Sequence, residues 1–180
     1  MQEIKKKAAI FLDRDGVLTE EKSYITSLEN LSIFSYTQDC IKQIHDKGYY
    51  AIVITNQSGV ARGLFTEESL VEMNKYLINN IGVDAVYYCP HHEDGRIEKY
   101  RKKCNCRKPN TELIEHACRD FDIDMKKSYM VGDRASDIML GQNAGIKTIL
   151  LQSGYGTARL EQDVKPDFIL NDLRDIISYI

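Results

Sequence analysis

Asp13 and Asp15 stand on either side of one arginine in Asp13-Arg14-Asp15-Gly16, directly after the apolar run Ala8 to Leu12. A second acidic pair, Asp133 and Asp137, follows the run Tyr129-Met130-Val131-Gly132. Carboxylates delivered from two such runs make a hard-oxygen site suited to Mg²⁺, a cation that keeps several waters and accepts substrate phosphate as a further ligand. A carboxylate placed there can attack phosphorus and split one difficult displacement into two. A second carboxylate two residues along an extended chain points to the same side, where it can protonate a leaving oxygen and then activate water. Thr55, in Thr55-Asn56-Gln57-Ser58-Gly59, offers a hydroxyl and free amides for phosphate oxygens. Lys108 can balance the charge that accumulates during transfer. One aspartate closing a strand is usually a turn or cap residue. The combination of four such groups at successive strand ends, in this order, is far more specific than any one of them.

A second constellation occupies residues 89 to 108. Cys89-Pro90-His91-His92 is followed, after twelve residues between His91 and Cys104, by Cys104-Asn105-Cys106. Three thiolates and one imidazole, from His91 or its neighbour His92, form the closed tetrahedral set of a structural zinc. Without a metal this would be a structureless loop of ~20 residues, which compact domains rarely tolerate. Arg107 and Lys108 directly follow a ligand, so a metal there would fix where both cations point. The loop also carries Arg96, Lys99, Arg101, Lys102 and Lys103, which read as a solvated face. A zinc-centred nucleic-acid module is the alternative from another class. Against it stand a formal net charge of -3 and the lack of interleaved aromatics beyond Tyr100. Cys40 and Cys118 lie on apolar helical faces and are expected to be inert core residues.

The elements that must position these groups are legible as alternating runs. Strands are predicted at 8–13, 50–55, 83–89, 128–133 and 146–151, with a weaker one at 167–170. Between them run helical stripes. Cys40, Ile41 and Ile44 end at Gly48. Leu70, Met73, Leu77 and Ile81 follow Thr66 as N-cap, and Leu113, Ile114, Ala117, Cys118 and Phe121 form a third stripe. Apolar strands separated by helices imply an α/β fold, a doubly wound and mostly parallel sheet covered on both faces. Ligands of such folds bind beyond the carboxyl ends of the strands, where each motif falls.

The chain has 180 residues, 43% hydrophobic and 28% charged, enough for one core. Its N-terminal apolar run is too short for a signal peptide, and no run approaches the ~20 apolar residues of a membrane span. A cytoplasmic protein is expected, with no nucleic-acid or membrane partner, and a monomer. In that compartment cysteines serve as metal ligands or buried thiols rather than disulfides.

"FLDRDGVL", "VITNQSG", "CRKP" and "MVGDRASD" resemble the four motifs of haloacid dehalogenase-superfamily phosphatases, over about residues 8 to 155. Within that superfamily the chain looks like the zinc-loop group of heptose-bisphosphate and histidinol-phosphate phosphatases. The resemblance implies a capless HAD-like Rossmannoid domain over 1–180 with a zinc-binding loop at 89–108. It makes Asp13 the nucleophile and Asp15 the general acid and base. Mg²⁺ would be held by Asp13, the backbone carbonyl of Asp15 and Asp133, with Asp137 behind them. Thr55 and Lys108 would steady the phosphoryl group and Arg107 would recognise substrate. The group's Cys-x-His…Cys-x-Cys pattern assigns Zn²⁺ to Cys89, His91, Cys104 and Cys106. Glu21, Lys22, Ser23 and Tyr24, together with Thr55, Asn56, Gln57 and Ser58, would line an open substrate site, with Arg134 beside it. The intervals from Asp13 to Thr55 and from Thr55 to Lys108 are used up by secondary structure and the zinc loop, which leaves no room for a cap. The implied substrate is a sugar bisphosphate, dephosphorylated at the heptose 7-position, with histidinol phosphate as the alternative. Glu21-Lys22-Ser23-Tyr24 departs from the Asp-His-Gly-Tyr usual in heptose phosphatases, and Arg134 stands where lysine is usual.

Overall fold

The computed structural model describes residues 6–180. Six strands form one sheet in the order β3-β2-β1-β4-β5-β6. They are β1 (Ala9–Leu12), β2 (Tyr50–Asn56), β3 (Ala85–Cys89), β4 (Tyr129–Gly132), β5 (Lys147–Leu151) and β6 (Phe168–Leu170). Every neighbouring pair is parallel. Parallel neighbours need crossovers, and four helices help to supply them: α1 (Thr37–Asp46), α2 (Glu67–Tyr76), α3 (Glu112–Asp120) and α4 (Ala135–Asn143). This is the doubly wound arrangement expected from the alternation of runs.

The alternation of β1 explains the two layers. All four of its residues are buried. Ile10 and Leu12 enter one core with Ile41 and Ile44 of α1, whereas Ala9 and Phe11 enter the other with Leu113, Ile114 and Ala117 of α3. Each fully buried aliphatic side chain contributes ~1.5–3 kcal/mol. These two cores therefore hold the strand in register as well as in place. No helix among the described residues is long and apolar enough to cross a membrane.

Local signals account for most boundaries. Thr66 caps α2 by accepting a hydrogen bond from Ser69 N at 3.2 Å. Gly48 ends the α1 segment at φ +85°, a conformation in which a side chain would be strained. Three details differ from the sequence expectation. β3 begins at Ala85: Asp84 N donates to Ala51 O at 2.8 Å, but the Asp84 carboxylate takes the Ala51 N–H at 2.7 Å, so a side chain supplies the other half of the pairing there. The stripe ending at Ile81 leaves α-geometry at Leu77 and continues as a π-turn to Ile81 before Gly82. Cys118 is exposed, not core: it lies one residue past Ala117, beyond the edge of the α3 stripe, with its Sγ 3.5 Å from Met125 Sδ.

Candidate active site

Register brings the motifs to one rim. Leu12 pairs with Val53 on one side and Val131 on the other, so Asp13, Thr55 and Asp133 emerge from three adjacent strands. Asp13 N donates to Val131 O at 2.9 Å, which extends the ladder by one bond into the motif. Lys108 arrives from the loop after β3. Its Nζ lies 2.8 Å from Asp13 Oδ1 and 2.6 Å from Asp137 Oδ1, and donates to Ile54 O at 2.8 Å. The contact with Asp137 is a close ion pair rather than a well-aligned hydrogen bond. Burial alone would lower the lysine pKa, but Asp13 and then Asp137 outweigh it and hold the ammonium above its ordinary value. Lys108 is therefore charged while almost wholly buried.

Asp133 is the complementary case. Its Oδ2 accepts from Tyr155 N at 2.8 Å, while its Oδ1 is buried without a hydrogen-bond partner. Burial, and then the negative charges of Asp13 and Asp137, push this carboxyl up to about 8. Asp137, also driven mainly by burial, is pushed up to about 6. Carboxyls raised in this way want a cation. Asp13, Asp133 and Asp137 each present an oxygen within 4.8 Å of the others, a donor set that fits a hard divalent ion such as Mg²⁺. Glycines make the space. A β-carbon on Gly16, which sits at φ +83°, would meet Asp133 Oδ2 at 2.5 Å, and one on Gly154 would meet it at 2.1 Å.

The Asp15 carboxylate is not part of that cluster. Beyond Leu12 the chain leaves strand geometry, and Asp15 turns toward Arg14, which grips it from Nε at 2.8 Å and Nη2 at 2.9 Å. Thr19 Oγ1 and Gln57 Nε2 add bonds at 3.1 Å each. Gln57 Nε2 also donates to Thr55 Oγ1 at 2.9 Å, and Gln57 Oε1 accepts from Arg14 Nη2 at 3.1 Å. Burial opposes ionisation of Asp15, but the Arg14 charge and these hydrogen bonds prevail and hold it below its ordinary value. Arg14 has no exposed surface and was not among the expected site residues. Its position between two aspartates was the available signal.

Above these groups lies a pocket of about 340 Å³. Asp13, Asp15, Ser23, Tyr24, Thr55, Asn56, Gln57, Ser58, Arg107, Lys108 and Arg134 of the expected set line it. Glu21 and Lys22 do not. Glu21 is engaged from behind by Arg134 Nη2 at 2.9 Å and Tyr155 Oη at 3.4 Å. Lys22 turns away to Ser32 and to Glu20, whose carboxylate is at 3.4 Å. Ser136, Tyr155 and Arg159 also line the pocket. The strand-end rule applied to β5 would have pointed to Tyr155, because Gln152-Ser153-Gly154-Tyr155-Gly156 comes directly after it, with Arg159 in the turn that follows.

The cysteine loop closes as a cluster. Cys106 Sγ lies 3.0 Å from Cys89 Sγ and 3.3 Å from Cys104 Sγ, Cys89 and Cys104 are 3.4 Å apart, and His91 Nδ1 is 3.3 Å from Cys106. A tetrahedron with ~2.3 Å metal–sulfur bonds has edges of about 3.8 Å, so this all-soft donor set fits zinc with a small expansion. His91, not His92, belongs to it. The His92 ring nitrogens face Asp94 N at 3.1 Å and Arg62 Nη2 at 3.3 Å. The loop is also pinned to the rim that carries Asp13 and Thr55. Arg96 N and Ile97 N donate to Ala61 O at 2.7 and 2.9 Å, and Lys108 N donates to Asn56 Oδ1 at 3.0 Å.

A parallel sheet of this order, with paired aspartates after the central strand and a lysine facing them, defines a HAD-like hydrolase. The HAD-hydrolase-like family model matches residues 105–176. The D-glycero-β-D-manno-heptose-1,7-bisphosphate 7-phosphatase of Haemophilus ducreyi is 38% identical over 180 residues, covering 97% of this chain and 98% of that one. The D-glycero-α-D-manno-heptose-1,7-bisphosphate 7-phosphatase of Photorhabdus laumondii is 42% identical, covering 88% and 89%. Among solved structures, the D,D-heptose 1,7-bisphosphate phosphatase of B. bronchiseptica, complexed with magnesium and phosphate, superposes with a TM-score of 0.83 at 28% identity, covering 96% of this chain and 97% of that one. The chain belongs to the heptose-1,7-bisphosphate 7-phosphatase family of HAD-like hydrolases.

Proposed function

We propose that this protein is a Mg²⁺-dependent phosphatase that removes the 7-phosphate of a D-glycero-D-manno-heptose 1,7-bisphosphate and leaves the 1-phosphate in place. The observation that carries the chemistry is Lys108 Nζ held between Asp13 and Asp137 beside Asp133 Oδ1, which is buried without a hydrogen bond. The relatives' substrate supports the choice of sugar. The fold and site are read as one capless unit, with the substrate entering from solvent.

Asp13 is the nucleophile. One of its oxygens attacks phosphorus, the bond from phosphorus to the sugar oxygen breaks, and an aspartyl-phosphate forms. Asp15 is the general acid: as substrate loosens the Arg14 grip, its carboxylate takes up a proton from solvent and passes it to the leaving oxygen. The resulting carboxylate, gripped by Arg14, then takes a proton from water as that water displaces Asp13 from phosphorus. Thr55 and the amides after it receive phosphate oxygens, and Lys108 faces the charge that develops in transfer. Asp13, Asp133 and the Asp15 carbonyl would hold Mg²⁺, which supplies charge neutralisation for the phosphoryl group. Cys89, His91, Cys104 and Cys106 would hold a structural zinc that keeps Arg107 and Lys108 in place.

The test is a panel of kcat/KM values for both heptose bisphosphate anomers, histidinol phosphate and a generic phosphomonoester, at matched Mg²⁺ and salt. A preference for a heptose bisphosphate is expected, because the far end of histidinol phosphate is cationic and the pocket wall carries Arg107 and Arg134. A preference for histidinol phosphate, or for no substrate, would overturn the assignment.

A further inference from the structure

Four cations line the pocket: Arg107, Lys108, Arg134 and Arg159. Two are already matched by carboxylates. Lys108 lies against Asp13 and Asp137, and Arg134 pairs with Glu21 at 2.9 Å. Arg107 and Arg159 have no acidic partner within ion-pair distance among the described residues, and Arg107 leaves Nη1 buried without a hydrogen-bond partner. A substrate with a single phosphate is accounted for by the catalytic rim. Two further guanidinium groups without a carboxylate partner on the same wall are placed to take a second anion.

Arg159 is also held in position. Its guanidinium carbon lies 4.0 Å from the centroid of the Tyr155 ring, within cation–π range. Arg134 approaches the same ring at 4.4 Å. Tyr155 is in turn tied to the metal-site carboxylate, because its N–H donates to Asp133 Oδ2 at 2.8 Å. The short turn Gly156–Arg159 then carries the arginine back over the pocket. The chain of contacts from Asp133 through Tyr155 to Arg159 thus sets the distance between the catalytic centre and an exposed planar cation.

We infer that Arg159 is a specificity-determining residue that, together with Arg107, receives the second phosphate of the substrate. This deepens the reading given under Proposed function and rests on it. A guanidinium can present two parallel N–H donors to phosphate oxygens, which a lysine in the same place cannot reproduce. Arg159 lies outside all four sequence motifs, so selectivity for a bisphosphate would be set by the loop after β5 and not by the catalytic motifs.

The experiment compares kcat/KM for a bisphosphate and its monophosphate counterpart in wild type, Arg159→Gln and Arg159→Lys. Two pairs serve as probes: heptose 1,7-bisphosphate with heptose 7-phosphate, and a hexose 1,6-bisphosphate with the hexose 6-phosphate. The bisphosphate-to-monophosphate ratio is expected to fall by about 10- to 100-fold in Arg159→Gln, with Arg159→Lys between it and wild type. Because Arg159 is exposed, both variants should fold. A ratio that stays at the wild-type value, or an equal loss on both members of a pair, would overturn the role of Arg159. A wild type that prefers the hexose but not the heptose bisphosphate would sink the heptose reading and leave the role of Arg159 to be judged on the hexose pair. A wild type with no preference in either pair would sink both.

Discussion

Gly154 lies so close to Asp133 that a β-carbon on it would stand 2.1 Å from the carboxylate Oδ2. The contact joins the loop after β5 to the end of β4 and leaves Asp133 one orientation, with Oδ2 on Tyr155 N and Oδ1 without a hydrogen bond, 3.9 Å from Arg134 Nε. Gly154→Ala should therefore move the carboxylate or lift the loop. The expected result is a loss of ~10²-fold in kcat/KM, the scale of a small misplacement at a reacting centre. The Mg²⁺ concentration for half-maximal activity should rise with it. Unchanged Mg²⁺ dependence would show that Asp133 is not held by this contact.

Asp13→Asn is nearly isosteric and leaves Lys108 paired with Asp137, so the fold should survive. Turnover should fall by at least ~10³-fold, since an amide cannot form the acyl-phosphate. Steady-state kinetics on purified, folded variant provide the check. Retention of a tenth of wild-type kcat would remove Asp13 from the nucleophile's role.

One tightly held zinc per chain is expected by native mass spectrometry. The Cys104→Ser/Cys106→Ser double variant should lose it, and with it the placement of Lys108, at a cost of ~10²-fold in activity that added Mg²⁺ does not restore. The bonds to Ala61 and Asn56 should keep part of the loop docked, so partial rather than complete loss of protection in hydrogen exchange is expected over 89–108. Full activity in the double variant would exclude a positioning role for the metal.

Metal-free protein should lose stability as pH rises through the neutral range. Burial and the neighbouring carboxylates raise Asp133 from 3.8 to about 8, so the folded chain keeps a proton that the unfolded chain has released. The stabilisation from this group is complete below about pH 4 and is lost as pH climbs toward 8. Asp137, raised to about 6, acts in the same direction. In thermal melts with chelator, Asp133→Asn should therefore have a flatter pH dependence than wild type. Excess Mg²⁺, which binds the ionised carboxylates, should raise the wild-type melting temperature most at the alkaline end. A wild type whose Tm is as pH-insensitive as the variant's would contradict this.

The frame and the candidate site residues are legible in the order of residues alone. β1 reads as a strand buried on both faces because its apolar residues are consecutive, and a parallel sheet gathers the segments after such strands on one rim. Asp13, Thr55, Lys108 and Asp133 are recognisable on that ground, as is the Cys-x-His…Cys-x-Cys set. The partners of these groups come from the folded chain. Loop backbones, not strand periodicity, turn Asp15 into the Arg14 grip, pair Glu21 with Arg134, send Lys22 away from the pocket and choose His91 over His92. Lys108 meets Asp137 because a cation from the cysteine loop after β3, at the sheet edge, and a carboxylate of α4, which follows the inner strand β4, converge on the same rim. Those are contacts between distant chain segments, and no local pattern of residue types encodes their distances.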